Sequence, residues 1–109
     1  MSKLLLNEND FEQVLKEKES VFVLFYASWC PYSARFLPIF EKHAEDPARH
    51  CVRVVIDDLD SLVDKYNIVV YPTVIFFNKG KVTKRLDGLH GEGLKETQLK
   101  DFIDKCGGK

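Results

Sequence analysis

The stretch Val21–Ala27 (VFVLFYA) limits what this chain can fold into more than any other segment. It is apolar throughout and rich in β-branched and aromatic side chains, and charged residues precede it. A strand with one wet face alternates apolar and polar residues; a strand covered on both faces has no reason to. Seven residues also fall far short of the ~20 that cross a bilayer. The run therefore reads as a central strand between two helical layers. The chain of 109 residues is long enough to build them. At that size a single domain, residues 1–109, buries roughly two-thirds of its unfolded surface.

The flanking segments supply the layers. Asn9 is placed to cap a first helix, with Glu12 as its capping-box partner, and Phe11, Val14 and Leu15 give that helix an apolar face. After the central strand, a helix is expected from Pro31 to Glu45, with Phe36, Leu37, Ile39, Phe40 and Ala44 inward and a kink at Pro38. Cys51–Asp57 reads as a second β-branched strand, and Leu59–Tyr66 as a short helix. Val74–Phe77 and Val82–Leu86 flank Asn78-Lys79-Gly80-Lys81 as a hairpin, and Lys95–Cys106 closes the chain as a helix. If Leu4–Leu6 makes a first strand, the order is β-α-β-α-β-α-β-β-α. Right-handed crossovers then place helices on both faces of one mixed sheet of four to five strands, an α/β class.

Composition excludes more than it assigns. Sixteen Lys+Arg against seventeen Asp+Glu give a formal charge of −1, which offers no basic face for nucleic acid or an anionic membrane. The start, Met1 to Glu8, turns acidic after three leucines and does not read as a signal peptide, so a cytoplasmic monomer is the expectation. Three cysteines, Cys30, Cys51 and Cys106, are too few and odd in number for a disulfide framework. His43, His50 and Cys51 lack metal-ligand spacing, so neither a metal nor a bound cofactor is expected. Asp57, Asp58 and Asp60 read as a cap and solvated loop charges.

Chemistry concentrates at Trp29-Cys30-Pro31-Tyr32-Ser33, where the buried strand meets the start of a helix. Unpaired N–H groups at a helix N-terminus favour a thiolate, the form that attacks disulfides. Ser33, one turn along, is placed to donate a hydrogen bond to the same sulfur. Cys51 begins the returning strand at the far end of the sheet and reads as a buried core thiol; Cys106 continues the apolar stripe of the last helix.

This arrangement resembles the thioredoxin superfamily, in a form close to the protein disulfide isomerase domains. Phe25-Tyr26-Ala27-Ser28-Trp29-Cys30 is similar to the family's run into its active site, and Pro38 to its helix proline. Lys65 to Thr73 is similar to the segment bearing its cis-proline, Phe76 to Lys81 to its hairpin, and Gly88 to the glycine closing its last strand. The resemblance implies a thioredoxin fold and a thiol–disulfide oxidoreductase. Cys30 would be the nucleophile, with Trp29, Pro31, Tyr32, Tyr71 and Pro72 on the substrate side. The Tyr71 backbone would pair with an extended peptide, and the partners would be disulfide-containing proteins or peptides.

Two positions depart from the family pattern. Ser33 stands where a resolving cysteine is usual, and Leu24 where thioredoxins carry a buried Asp and isomerase domains a Glu. A serine hydroxyl cannot displace a thiolate, so an adduct on Cys30 would await an external thiol such as glutathione. CPYS is readable as a native monothiol motif or as a Cys-to-Ser replacement in a CPYC parent. The Gly-Gly-x-Asp glutathione signature of glutaredoxins is missing. The rival function is a redox-inert module that uses the proline groove as a peptide clamp. Arg53 stands at the family's strand lysine, as a half-buried cation near the site or a surface residue. His90 lies in a long loop, Asp87–Leu94, that either tunes substrate choice or is a surface insertion.

Overall fold

The computed structural model describes residues 2–107, the Asp58 side chain aside. The elements are β1 (Lys3–Leu5), α1 (Glu8–Glu17), β2 (Ser20–Tyr26), α2 (Pro31–Ala44), β3 (Cys51–Val55), α3 (Asp60–Lys65), β4 (Thr73–Asn78), β5 (Lys81–Asp87) and α4 (Glu96–Gly107), with a 3-10 turn at Ile56–Asp58. One sheet orders them β1-β3-β2-β4-β5. β1 and β2 run parallel to β3; β4 is antiparallel to β2 and to β5. This is the mixed α/β sheet the pattern called for.

β2 is covered on both sides, and its side chains divide between two cores. Val21, Val23 and Phe25 face Phe11 and Val14 of α1 and Leu62 of α3. Phe22 and Leu24 face Phe36 and Phe40 of α2 and Leu99, Phe102 and Ile103 of α4. Helices on both faces explain why the strand shows no polar alternation. Phe11 centres the first core, edge-on to Phe25, Tyr66 and Phe77 at 6.3, 5.7 and 5.7 Å between ring centroids.

Three local readings need correction. The cap of α1 is Asn7, not Asn9: Asn7 Oδ1 accepts the Asp10 N–H at 2.8 Å, and Asp10 Oδ2 accepts the Leu6 N–H at 3.2 Å. Asn9 is consumed in the first turn. The hairpin loop is two residues, Lys79 and Gly80, both at positive φ (55° and 80°), because Asn78 and Lys81 pair across it. Cys51 is half-buried, as the first residue of β3 lies at the rim of the sheet. Helix α2 continues through Pro38, whose missing N–H leaves Ala34 O without its partner.

The outer strand β5 is exposed along most of its length and carries Lys81, Lys84 and Arg85, charges that discourage pairing with another edge. At the other edge Arg53 donates to Ser2 O at 2.6 Å and to Glu41 Oε2 at 2.9 Å, and its Nε to Tyr26 Oη at 3.3 Å. Arg53 is thus a half-buried cation that ties the start of the chain to α2. No helix among the described residues is long and apolar enough to cross a membrane.

Phe11 is fully enclosed and holds α1 against the sheet. Phe11→Ala is expected to lower stability by about 3–5 kcal/mol in urea unfolding with an unchanged m-value. A loss under about 1 kcal/mol would show that α1 is not an integral part of this core.

Candidate active site

The sheet register decides which segments meet. Tyr26, the last residue of β2, pairs with Val55, and Phe25 pairs with Thr73, which itself pairs with Asp87. The chain beyond Tyr26, beyond Val55, before Thr73 and beyond Asp87 therefore gathers at one end of the sheet. Those stretches carry Trp29-Cys30, Asp57, Tyr71-Pro72 and Gly88-Leu89-His90.

Cys30 is the N-cap residue of α2, with Pro31 in the first turn. The first unpaired amides beyond it are those of Tyr32 and Ser33. Cys30 is 6% exposed and borders a groove of 380 Å³. Three segments line that groove: Trp29, Cys30 and Tyr32; Val69 to Tyr71; and Leu89 to Gly91. Trp29, Val69 and Leu89 are 67%, 72% and 52% exposed, so an apolar rim surrounds a sheltered sulfur. Trp29 meets the Tyr71 ring edge-on at 5.9 Å between centroids. The Tyr71–Pro72 peptide bond is cis.

Each lining segment has its own anchor. Ser28, just before Trp29, donates its hydroxyl to Asp57 Oδ2 at 2.6 Å and its N–H to Oδ1 at 3.2 Å. The Ser28 hydroxyl, and after it the Ser28 N–H, hold the Asp57 carboxyl below its ordinary value. Gly88 N–H donates to Pro72 O at 2.9 Å, and a Cβ on Gly88 would sit 2.6 Å from that oxygen, so the approach admits only glycine. The loop beyond it folds on itself through Gly93 N–H to Leu89 O at 2.8 Å. Arg35 of α2 stacks over the Tyr32 ring and donates to Glu92 O, which pins the loop beside the groove.

Of the residues singled out from the sequence, Trp29, Cys30, Tyr32 and Tyr71 share the groove, and His90 joins them from its loop. Ser33 differs from expectation. It is buried, and its Oγ accepts the Ala27 N–H at 3.3 Å; no hydrogen bond joins it to Cys30. Ala27 lies one residue past β2, where the ladder no longer supplies an acceptor, and Ser33 fills that need. Arg53 is occupied at the β1 edge and does not line the groove. Leu24 is enclosed among the apolar side chains of the second core. Asp57 is more than a solvated loop charge, and Arg35 has a structural partner that its sequence position does not announce.

The other two thiols lie elsewhere. Cys51 and Cys106 are half-buried against the second core, and burial pushes each up to about 11. His43 sits in the last turn of α2, 3.3 Å from Glu96 Oε2. No group of three His, Cys, Asp or Glu side chains among the described residues is arranged to hold a metal ion.

The site thus joins a thiol at a helix start to a groove walled by Tyr71 and an exposed tryptophan. The thioredoxin family profile matches residues 2–105. The chain belongs to the thioredoxin family. A thioredoxin of Mycoplasmoides gallisepticum is 36% identical over 96 residues, covering 86% of this chain and 96% of that protein. Mouse protein disulfide-isomerase A5 is 34% identical over 80 residues, but the match covers only 16% of its length. The structure of Plasmodium falciparum thioredoxin superposes with a TM-score of 0.86 at 25% identity, covering 95% of this chain and 98% of that one. A Schistosoma mansoni thioredoxin gives 0.82 at 29% identity, with 95% of both chains covered. The thioredoxin fold and the kinship with thioredoxins and disulfide isomerases are thus established together.

The Asp57 bonds set a pH dependence. A carboxyl whose folded pKa is depressed stabilises the fold above its unfolded pKa, and that contribution is lost as pH falls through the folded value. The melting temperature of the wild type should exceed that of Asp57→Asn near neutrality, and the two should converge in acid. A difference that stays constant from about pH 7 to about pH 2 would mean that Asp57 is uncoupled from Ser28.

Proposed function

We propose that this chain is a thiol–disulfide oxidoreductase that acts through Cys30 on disulfides in extended peptide segments. The observation that carries the reading is location: Cys30, and neither of the other two thiols, borders the groove walled by Val69–Tyr71. The Cys30 thiolate attacks one sulfur of the substrate disulfide. The bond between the substrate sulfurs breaks, a mixed disulfide forms on Cys30, and the second substrate sulfur leaves as a thiolate. The Tyr71 backbone pairs with the substrate peptide as an added strand, while Trp29, Pro31, Tyr32 and Pro72 border it.

Ser33 governs what happens next. A serine in place of the resolving cysteine cannot displace the bound sulfur, and its oxygen is engaged by the Ala27 amide. The adduct therefore persists until an external thiol, such as glutathione, attacks it. That thiolate releases Cys30 as a thiolate and leaves as a mixed disulfide with the substrate. Leu24 fits the same scheme, because a dry apolar position replaces an acid whose service would be to a second cysteine.

The test is adduct trapping followed by mass spectrometry. A peptide disulfide should give a long-lived adduct on Cys30 at neutral pH, which added glutathione discharges. Cys30→Ser should give none, since Cys51 and Cys106, with pKa values of about 11, hold roughly 100-fold less thiolate than an ordinary cysteine. Ser33→Cys should shorten the adduct's lifetime. Peptide binding without any adduct on Cys30 would instead establish a redox-inert clamp.

A further inference from the structure

The segment between α3 and β4 forms one wall of the groove, yet it has little structure of its own. From Asn67 to Pro72 it is neither helix nor strand. Helix α3 before it has only six residues, and Asn67 turns the chain out of that helix at φ 53°. Ile68 is buried, and its N–H donates to Val63 O at 2.9 Å. Beyond it Val69 is 72% exposed. A wall built this way needs support from outside.

Arg85 supplies that support from the far side. It stands on the outer strand β5, half-buried, and does not line the groove. Its Nη1 donates to Tyr66 O at 2.7 Å and its Nη2 to Asn67 O at 3.3 Å. These carbonyls end α3, where a helix leaves its acceptors unpaired and its dipole negative. The same guanidinium is oriented by Asp87, with Nη2 at 2.8 Å and Nε at 3.2 Å from Oδ1. Asp87 Oδ1 in turn lies 3.5 Å from Thr73 Oγ1, which donates to Val70 O at 2.8 Å. One fork of charge-assisted bonds therefore holds the start of the segment.

We propose that Arg85 is a positioning residue for disulfide exchange at Cys30, setting the Val69–Tyr71 wall against which the substrate peptide lies. The inference rests on the oxidoreductase reading above. A strand added at Tyr71 must meet backbone groups held close to their productive geometry, and a displaced wall loses that alignment. A small reagent that needs only the sulfur does not use the wall.

The experiment compares two reactions of the full chain: exchange with a disulfide-bonded peptide, and alkylation of Cys30 by iodoacetamide. With glutathione present to discharge the adduct, Arg85→Ala should slow peptide exchange about tenfold, through KM and not kcat, with alkylation within about twofold of wild type. Arg85→Lys should fall between, because an ammonium keeps the charge but not the fork, and Asp87→Asn should weaken exchange in the same direction. Those milder variants carry the test if Arg85→Ala does not fold. A wild type that exchanges while all three variants match it overturns this inference alone. Equal losses in exchange and alkylation would make Arg85 merely structural and also overturn it. A wild type inert toward the peptide disulfide overturns the oxidoreductase reading and this inference with it.

Discussion

Tyr26 stands opposite Val55, and Phe25 opposite Thr73. These two registers along β2 decide what meets beyond its end. Two cores fix them, since a slip by one residue would exchange the side chains of β2 between its faces. Phe25 would then leave the ring cluster around Phe11, and Leu24 would leave the pocket of Phe36 and Phe40. Packing along β2 thus places Cys30 and Tyr71 on one groove. The site is a consequence of the ladder, with polar bonds trimming each segment into position.

That trimming repeats one device. Asp57 holds Ser28, Arg35 holds Glu92 O, and Arg85 holds Tyr66 O and Asn67 O, so each anchor lies outside the groove and grips the chain that borders it. The groove itself is left apolar and open, with Trp29, Val69 and Leu89 on its rim. Within it the two departures from the family pattern agree with each other. Ser33 caps a stray amide where a second sulfur would stand, and Leu24 fills with hydrocarbon the place of an acid. A single thiol, Cys30, remains at the groove, as the proposed mixed-disulfide chemistry requires.

Much of this was legible in the sequence because the signals are local. Val21–Ala27 announces a doubly covered strand, and Trp29-Cys30-Pro31 announces a thiol at a helix start. The fold of the hairpin follows from Lys79-Gly80, though the tightness of the loop does not. Asn7 and Asn9 are both suitable caps for the first helix; only the bond from Asp10 N–H to Asn7 Oδ1 separates them. Contacts between distant polar residues left no trace. Asp57 lies 29 residues from Ser28, and the Arg85 carbonyl partners lie 18 and 19 residues away. A charged residue on an edge strand reads as solvent-facing until the fold supplies a partner. Burial statistics for cysteine favour full burial at Cys51, but the rim of the sheet leaves it half-buried against the second core.

The central claim is that Cys30 and the Tyr71 backbone act on one substrate together. Amide resonances of the free protein compared with those of its Cys30 mixed disulfide with a short extended peptide test that claim most directly. The account predicts shifts at Tyr71 and its neighbours Val69 and Val70, with slowed amide exchange there and intermolecular backbone contacts to the peptide. A peptide joined to Cys30 that leaves the Val69–Tyr71 amides unshifted and freely exchanging would contradict it.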